Sequence, residues 1–278
     1  VGSVTFDVLT TAAILFVVST GLMVILGVMK LLNFAHGAFL TTGGYVAYMA
    51  GLAGVSPWLS IPLASILGFL FGLVVERIVI RPLYQRPLDA ILATWGLGIV
   101  ISQVFALTFG RGVQFAPSPL SGTVDFLGVE YSAYRLAIAA IAILLAFALI
   151  GLLSLTRFGL NARAVIVNED LARGLGIDST KVRSLTFGLG AGLACAAGAL
   201  ITPLLSVDPN MGLPWLVNSF MLVLVSGVSF PSLLFASLVL GGTQVLVSTY
   251  VSPILGGMTI VVLAALILRL NPKGFSRA

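Results

Sequence analysis

The chain has a single histidine, His36, and a single cysteine, Cys195, in 278 residues. With no acidic cluster at ligand spacing beside them, no metal site is expected. One cysteine in an apolar run of small residues builds no disulfide framework and says nothing of redox compartment. Charge is equally scarce, at 8% of the chain. A nucleic-acid surface needs basic residues gathered on a soluble domain, and no segment here is long and polar enough to form one. There is also no Gly-x-x-x-x-Gly-Lys-Ser/Thr phosphate loop, so the chain does not bind and split ATP by the usual route. Nothing argues for hydrolysis of another kind. The expectation is a non-enzyme with no cofactor of its own.

What the chain has in quantity is apolar sequence, 59% of all residues, in runs about as long as a bilayer is thick. None alternates with period two. Backbone polar groups in lipid must pair within their own segment, so the runs read as helices and the fold class as all-α: one polytopic transmembrane bundle, a single domain over 1–278. The expected spans are 11–29, 38–54, 58–75, 90–109, 133–155, 184–205, 214–228, 232–250 and 254–268, about nine, with eight to ten as the range.

The few charges order these spans. All 14 basic residues except Arg111 and Arg135 fall into four clusters: Lys30; Arg77, Arg81 and Arg86; Arg157, Arg163, Arg173, Lys181 and Arg183; and Arg269, Lys273 and Arg277. The spans between successive clusters number two, two and four. These even intervals put every cluster on one side, the cytoplasmic side by the positive-inside rule, with the N-terminus outside and the C-terminus inside. The net charge of +5 is thus a topology signal. Membrane lipid is the expected surrounding and nucleic acid is not an expected partner.

Inside the spans ionisable residues are nearly absent, which disfavours proton coupling. Glu76 is expected to pair with Arg77 at a helix end, and Asp89 to favour the start of a helix dipole. The 31 glycines recur at four-residue spacing, as in Gly68 with Gly72 and Gly188 with Gly192, and mark close helix packing. Uncharged polar residues within or beside spans, chiefly Asn33, His36, Thr41, Thr42, Thr94, Gln103, Asn218 and Gln244, are candidates to line a path for a small polar solute. Interhelical hydrogen bonding is the plainer role for each.

Two segments stand out. Leu32-Asn33-Phe34-Ala35-His36-Gly37-Ala38-Phe39 follows Lys30 and is far more apolar than a surface turn. It is either a turn capped by Asn33 and relieved by Gly37, or a re-entrant piece beside a transport path. The second is the loop 156–183. Leu160, Ala164, Val167, Leu171 and Leu175 recur at spacings of three and four, which predicts one apolar stripe on an amphipathic helix at the membrane surface. Asn168-Glu169-Asp170 also reads as a fresh helix start, with Gly174 and Gly176 as stops.

These segments, in this order, resemble the permease family of branched-chain amino-acid ABC importers, which includes relatives for urea and short amides. The resemblance rests on Asn33-Phe34-Ala35-His36-Gly37, on Arg157-Phe158-Gly159-Leu160 leading through Asn168-Glu169-Asp170 to Leu175-Gly176-Ile177, and on Leu185-Thr186-Phe187. The closing Leu270-Asn271-Pro272-Lys273-Gly274-Phe275 matches loosely, with Asn where Arg is usual. The resemblance implies a permease in the bacterial inner membrane. It would pair with a second permease, identical or homologous, with two cytoplasmic ATPases carrying ATP and Mg, and with an external solute-binding protein. The loop 156–183 would then couple to the ATPase through Arg163, Asn168, Glu169, Asp170, Leu171, Arg173 and Leu175. Two departures bear on substrate. Gly227-Val228-Ser229-Phe230-Pro231-Ser232 replaces a more glycine-rich turn, and the stretch from Arg86 to Gly96 looks closer to the urea and amide branch. Branched-chain or related amino acids are the first expectation, urea or amides the second, and a passive channel for small neutral solutes the alternative of a different class.

Overall fold

In the computed structural model, residues 2–126 and 128–275 are described; Arg277 of the last basic cluster lies outside them. The all-α expectation holds, with eleven α-helices among the described residues. They are α1 (Gly2–Met29), α2 (His36–Leu52), α3 (Pro57–Val75), α4 (Pro87–Phe109), α5 (Ala133–Leu155), α6 (Arg157–Val167), α7 (Glu169–Gly174), α8 (Ser179–Leu205), α9 (Gly212–Ser226), α10 (Phe230–Tyr250) and α11 (Pro253–Leu270). Each of the nine expected spans falls on one helix. Seven are long and apolar enough to cross a bilayer alone; α2 and α9, at 17 and 15 residues, are shorter. A hairpin interrupts the 110–132 loop, β1 (Thr123–Phe126) pairing antiparallel with β2 (Val129–Ser132). Apolar and polar residues alternate there, and Gly128 turns at φ +77°.

Two helices form the centre. In the most apolar stretch of α1, 78% of residues are buried, against 17% in α4, α5 and α11, and α8 packs against α1, α2 and α3 together. The contacts fix directions. Val28 clusters with Val182 and Gly21 approaches Gly190 and Ala194, so α1 and α8 are antiparallel. Leu40 meets Gly198 and Gly44 meets Thr202, so α2 runs parallel to α8. These approaches are possible only because small residues line them. A methyl group on Gly43 or Gly198 would overlap the carbonyl of Cys195 or Leu40, and one on Gly72 would lie 2.7 Å from Ala191 Cβ.

The shortness of α2 and α9 has a common cause. Both central helices end in a left-handed residue, Lys30 (φ +52°) after α1 and Ser206 (φ +69°) after α8, the only non-glycine residues with positive φ among those described. Each is followed by irregular backbone, residues 30–35 and 206–211, that folds back along the helix before the next one starts. The depth is set by His36, whose Nε2–H donates to the carbonyl of Val18, near the middle of α1, at 2.9 Å. Residues 31–36 are therefore re-entrant rather than a surface turn. Asn33 does not cap α2; its Oδ1 accepts from the Ala35 N–H at 3.1 Å.

The basic clusters gather at one end, as the even spacing required. The opposite end carries Arg135, paired with Asp7 at 3.1 Å, and Tyr131, which donates to Asp7 at 2.8 Å. This tie lets α1 begin at Gly2, well before the expected Thr11.

Gly43→Ala is expected to lower the thermal unfolding midpoint in detergent. Gly96→Ala, whose methyl meets nothing within 4 Å, should raise it slightly or leave it unchanged, since alanine gains about 1 kcal/mol over glycine in a helix. Equal effects would mean that α2 and α8 are not in backbone contact.

Candidate functional site

The re-entrant segments bring two helix N-termini together in the bundle interior. Gly37, in the first turn of α2, lies against Gly212, in the first turn of α9, where a methyl would sit 2.6 Å from the Gly212 carbonyl oxygen. Thr41 Oγ1 accepts the Gly212 N–H at 3.1 Å and donates to the Gly37 carbonyl at 3.1 Å. One hydroxyl thus bridges the two helix starts. Phe34 stacks near Phe220 and Trp95 at centroid distances of 4.8 and 5.6 Å, and its N–H donates to Thr94 Oγ1 at 3.2 Å. On the other side Val207 exchanges 2.8 Å backbone bonds with Gln114, tying residues 206–211 to the 110–122 loop.

Beside this junction is a cavity of about 180 Å³ lined by Phe34, Thr41, Trp95, Gln103, Asn210 and their neighbours, none of them charged. It is smaller than the roughly 300–1,000 Å³ of drug-sized ligand sites. The positive ends of two helix dipoles face it, a substitute for a basic side chain where a full charge would be costly. Of the expected path residues, the structure brings Thr41 and Gln103 to the cavity. Thr94 supports it through Phe34. Asn33 and His36 are fully buried in the re-entrant turn behind it, with Asn33 Nδ2 and His36 Nδ1 lacking a hydrogen-bond partner. Thr42 donates to the carbonyl of Ala38 within its own helix at 2.8 Å, and Asn218 and Gln244 lie outside the lining. Phe34 and Trp95 lie in stretches noted from sequence, 32–39 and 86–96, but were not named as path residues, and Asn210 was not noted. Asn210 could have been, because Asp208-Pro209-Asn210 is a turn signal between two apolar runs.

The second candidate surface is the 156–183 loop. It forms two helices rather than one. Asn168 turns extended at φ −157°, and its Oδ1 accepts the Leu171 N–H at 3.0 Å, starting α7 afresh. Ala162, Val165 and Ala172 pack inward on Val28 and Val182. Most of the apolar stripe points the other way: Leu160, Val167, Leu171 and Leu175 are 61–85% exposed and Asp170 is exposed too, whereas Ala164 packs inward. Glu169 is turned inward instead. Its carboxylate takes Arg173 at 2.7 Å and also pairs with Arg183, while Arg173 Nε donates to Ser179 at 2.7 Å. Arg163 reaches only the carbonyl oxygens of Gly159 and Ser154. Asp178 caps α8 by accepting the Lys181 N–H at 3.0 Å, and that bond holds its carboxyl below the usual carboxylate range.

The Arg183 guanidinium also lies 4.7 Å over the Tyr84 ring, and Tyr84 donates to the fully buried Glu76. Burial and that hydrogen bond push the Tyr84 phenol up, so it stays protonated. Glu76 pairs with Arg81, at 3.0 Å, and not with Arg77. A π-turn over Glu76–Ile80, followed by a 3₁₀ turn containing Pro82, rotates Arg81 toward it. A continuous polar chain therefore joins the end of α3 to α7 and α8.

Half-helices meeting beside an uncharged cavity in a multi-pass apolar bundle are the features of a membrane permease. The sequence matches the family model for the branched-chain amino acid transport system / permease component over residues 4–270, and the chain belongs to that family. It is 26% identical to the high-affinity branched-chain amino acid transport system permease protein LivH of Salmonella typhimurium, over 97% of this chain and 93% of that one. It is 27% identical to BraD of Pseudomonas aeruginosa, with the same description, over 92% and 90%. Among solved structures it is similar to PsaBC from Streptococcus pneumoniae, with a TM-score of 0.49 and 15% identity over 96% of this chain and 91% of that one. The chain is a multi-pass inner-membrane permease of an ABC importer, forming the translocation path and working with separate ATPase and binding-protein partners.

Arg183→Ala is expected to loosen α7 by about 2 kcal/mol, less than the ~3–5 kcal/mol of a fully buried pair because both side chains keep some exposure. Faster amide exchange over residues 169–175 would report it. Unchanged exchange would mean that apolar contacts alone hold α7.

Proposed function

We propose that the chain carries branched-chain or related amino acids through the junction of α2 and α9, with its basic end in the cytoplasm and its N-terminus outside. What carries this reading is the cavity where two helix N-termini meet without a charged side chain. A zwitterion finds positive dipole ends for its carboxylate there, and amide, hydroxyl and carbonyl oxygens for its ammonium group. The neighbouring Phe34, Trp95 and Leu216 suit an apolar side chain. The names of LivH and BraD point to the same substrates. A short amide is the second reading. It needs no charge compensation, and Trp95, from the stretch that looks like the amide branch, lines the same cavity.

Each permease works with a second one, two ATPases and an external solute-binding protein. Leu160, Val167, Asp170, Leu171 and Leu175 form the ATPase docking face: they stand exposed on a segment whose opposite face is packed, and Asp170 and the break at Asn168 suit a protein partner better than a lipid surface. Glu169, Arg173 and Asn168 shape that face from behind, and Arg163 lies to one side of it. ATP and Mg belong to the partner.

Leu171→Asp with Leu175→Asp should abolish ATPase co-purification and coupled uptake while leaving membrane insertion intact; full uptake would remove the docking assignment. Gln103→Leu should slow uptake about fivefold, the value of one lost hydrogen bond of ~1 kcal/mol, with ATPase binding unchanged. Uptake of labelled leucine, isoleucine, valine, urea and acetamide, measured with the cognate binding protein, separates the two substrate readings. Transport of none of the amino acids would overturn the first.

A further inference from the structure

A second cavity, about 370 Å³, opens at the basic end between α1, α5, α6 and the turn into α10. Its walls are apolar, with Val24, Gly27, Leu153, Phe158, Val228 and Phe230 among them, and no acidic residue lines it. Arg163 stands in the lining. Its two bonds, to the carbonyl oxygens of Gly159 and Ser154, are long at 3.4 and 3.5 Å, and no carboxylate pairs with it among the described residues. Most basic residues of this loop are otherwise engaged: Arg173 and Arg183 with Glu169, Lys181 with Asp178. The wall opposite α1 is built by Val228, Phe230 and Pro231, the bulky turn that departs from the glycine-rich pattern. A methyl on Gly27 would meet Val228 Cγ1 at 3.5 Å, an ordinary contact, so this turn closes the crevice directly against α1.

From this geometry we infer that the crevice binds an anionic phospholipid, one acyl chain lying on the α1 wall and the phosphate on Arg163. An apolar slot with a single unpaired cation, at the depth where the basic clusters meet the membrane boundary, matches an amphiphile with a negative head. A zwitterionic lipid offers the same phosphate but sets a quaternary ammonium beside it, which lowers its net attraction to the guanidinium. A peptide strand would need backbone partners, and the walls are mostly side-chain carbon.

The test uses the full chain in detergent and adds phosphatidylglycerol or phosphatidylcholine, counting bound lipid by native mass spectrometry. Wild type should retain one phosphatidylglycerol in preference to phosphatidylcholine. Arg163→Gln should weaken that preference about fivefold, as loss of ~1 kcal/mol per basic residue requires, and Arg163→Lys should keep most of it. Val228→Trp, which fills the slot from an exposed position, should reduce retention of both lipids. A wild-type unfolding midpoint for each variant shows that it is folded. Equal retention of the two lipids, an unchanged preference in Arg163→Gln, or closure of the crevice by a second copy of the chain, seen as a cross-link at Ser154→Cys, would overturn the assignment.

Discussion

The contact on which the architecture depends is backbone against backbone in the bundle interior. In lipid no hydrophobic force drives helices together, so adhesion comes from close packing and from polar groups that find partners. At Gly37 with Gly212, Gly43 with Cys195 and Gly198 with Leu40, no side chain intervenes. That proximity lets Thr41 close the gap between two helix starts with one hydroxyl and lets Cys195 Sγ donate to the Phe39 carbonyl at 3.0 Å. The irregular stretches 30–35 and 206–211 can exist at this depth only because protein surrounds them. Larger residues at these glycines would part the helices and expose that backbone.

The same packing connects the membrane interior to the loop side. α8 is a single rod from its Asp178 cap to Leu205. Its first turns carry Arg183, held by Glu169 and Tyr84, and its later turns carry the small-residue faces on α2 and α3. A displacement of α7 is therefore passed along α8 to α2, one side of the junction with α9. Rigid packed elements of this kind move as units rather than deform. The buried Glu76 adds a second attachment, since any shift of Arg183 must also disturb the ring it covers and the π-turn behind it.

Much of the fold was legible because hydropathy and charge parity are strong signals in a membrane chain. The nine apolar runs each became a helix, and the polar caps Asn168 and Asp178 start helices as their residue types favour. Depth was legible only as one of two alternatives, a capped turn or a re-entrant piece at 32–39; the bond from His36 to Val18 decides for the second and shows that α2 begins beside the middle of α1. Nor could spacing foresee that Glu76 pairs five residues on, because a π-turn shifts the register by one. The stripe through Leu160, Ala164, Val167, Leu171 and Leu175 reads as one helix face; the break falls at Asn168, where the sequence also marks a fresh helix start, and all but Ala164 still point outward. For the interior site, polar type alone chose Thr41 and Gln103 together with Asn218 and Gln244. Which of them meet is a matter of helix rotation, which a sequence without strong amphipathic contrast does not encode.

Lys30 and Ser206, the paired left-handed residues, carry a consequence for the chain's parity. Each closes a long helix that is followed by a short one and then by two more, α1 to α4 and α8 to α11, and the second quartet is traversed upside down relative to the first. An upside-down copy cannot follow directly, because four passes return the polypeptide to the side it left. One extra pass is obligatory, and α5 supplies it. The helices α6 and α7 then fall at the seam between two inverted halves, and α6 touches both, at α1 and at α8, so a push there is shared.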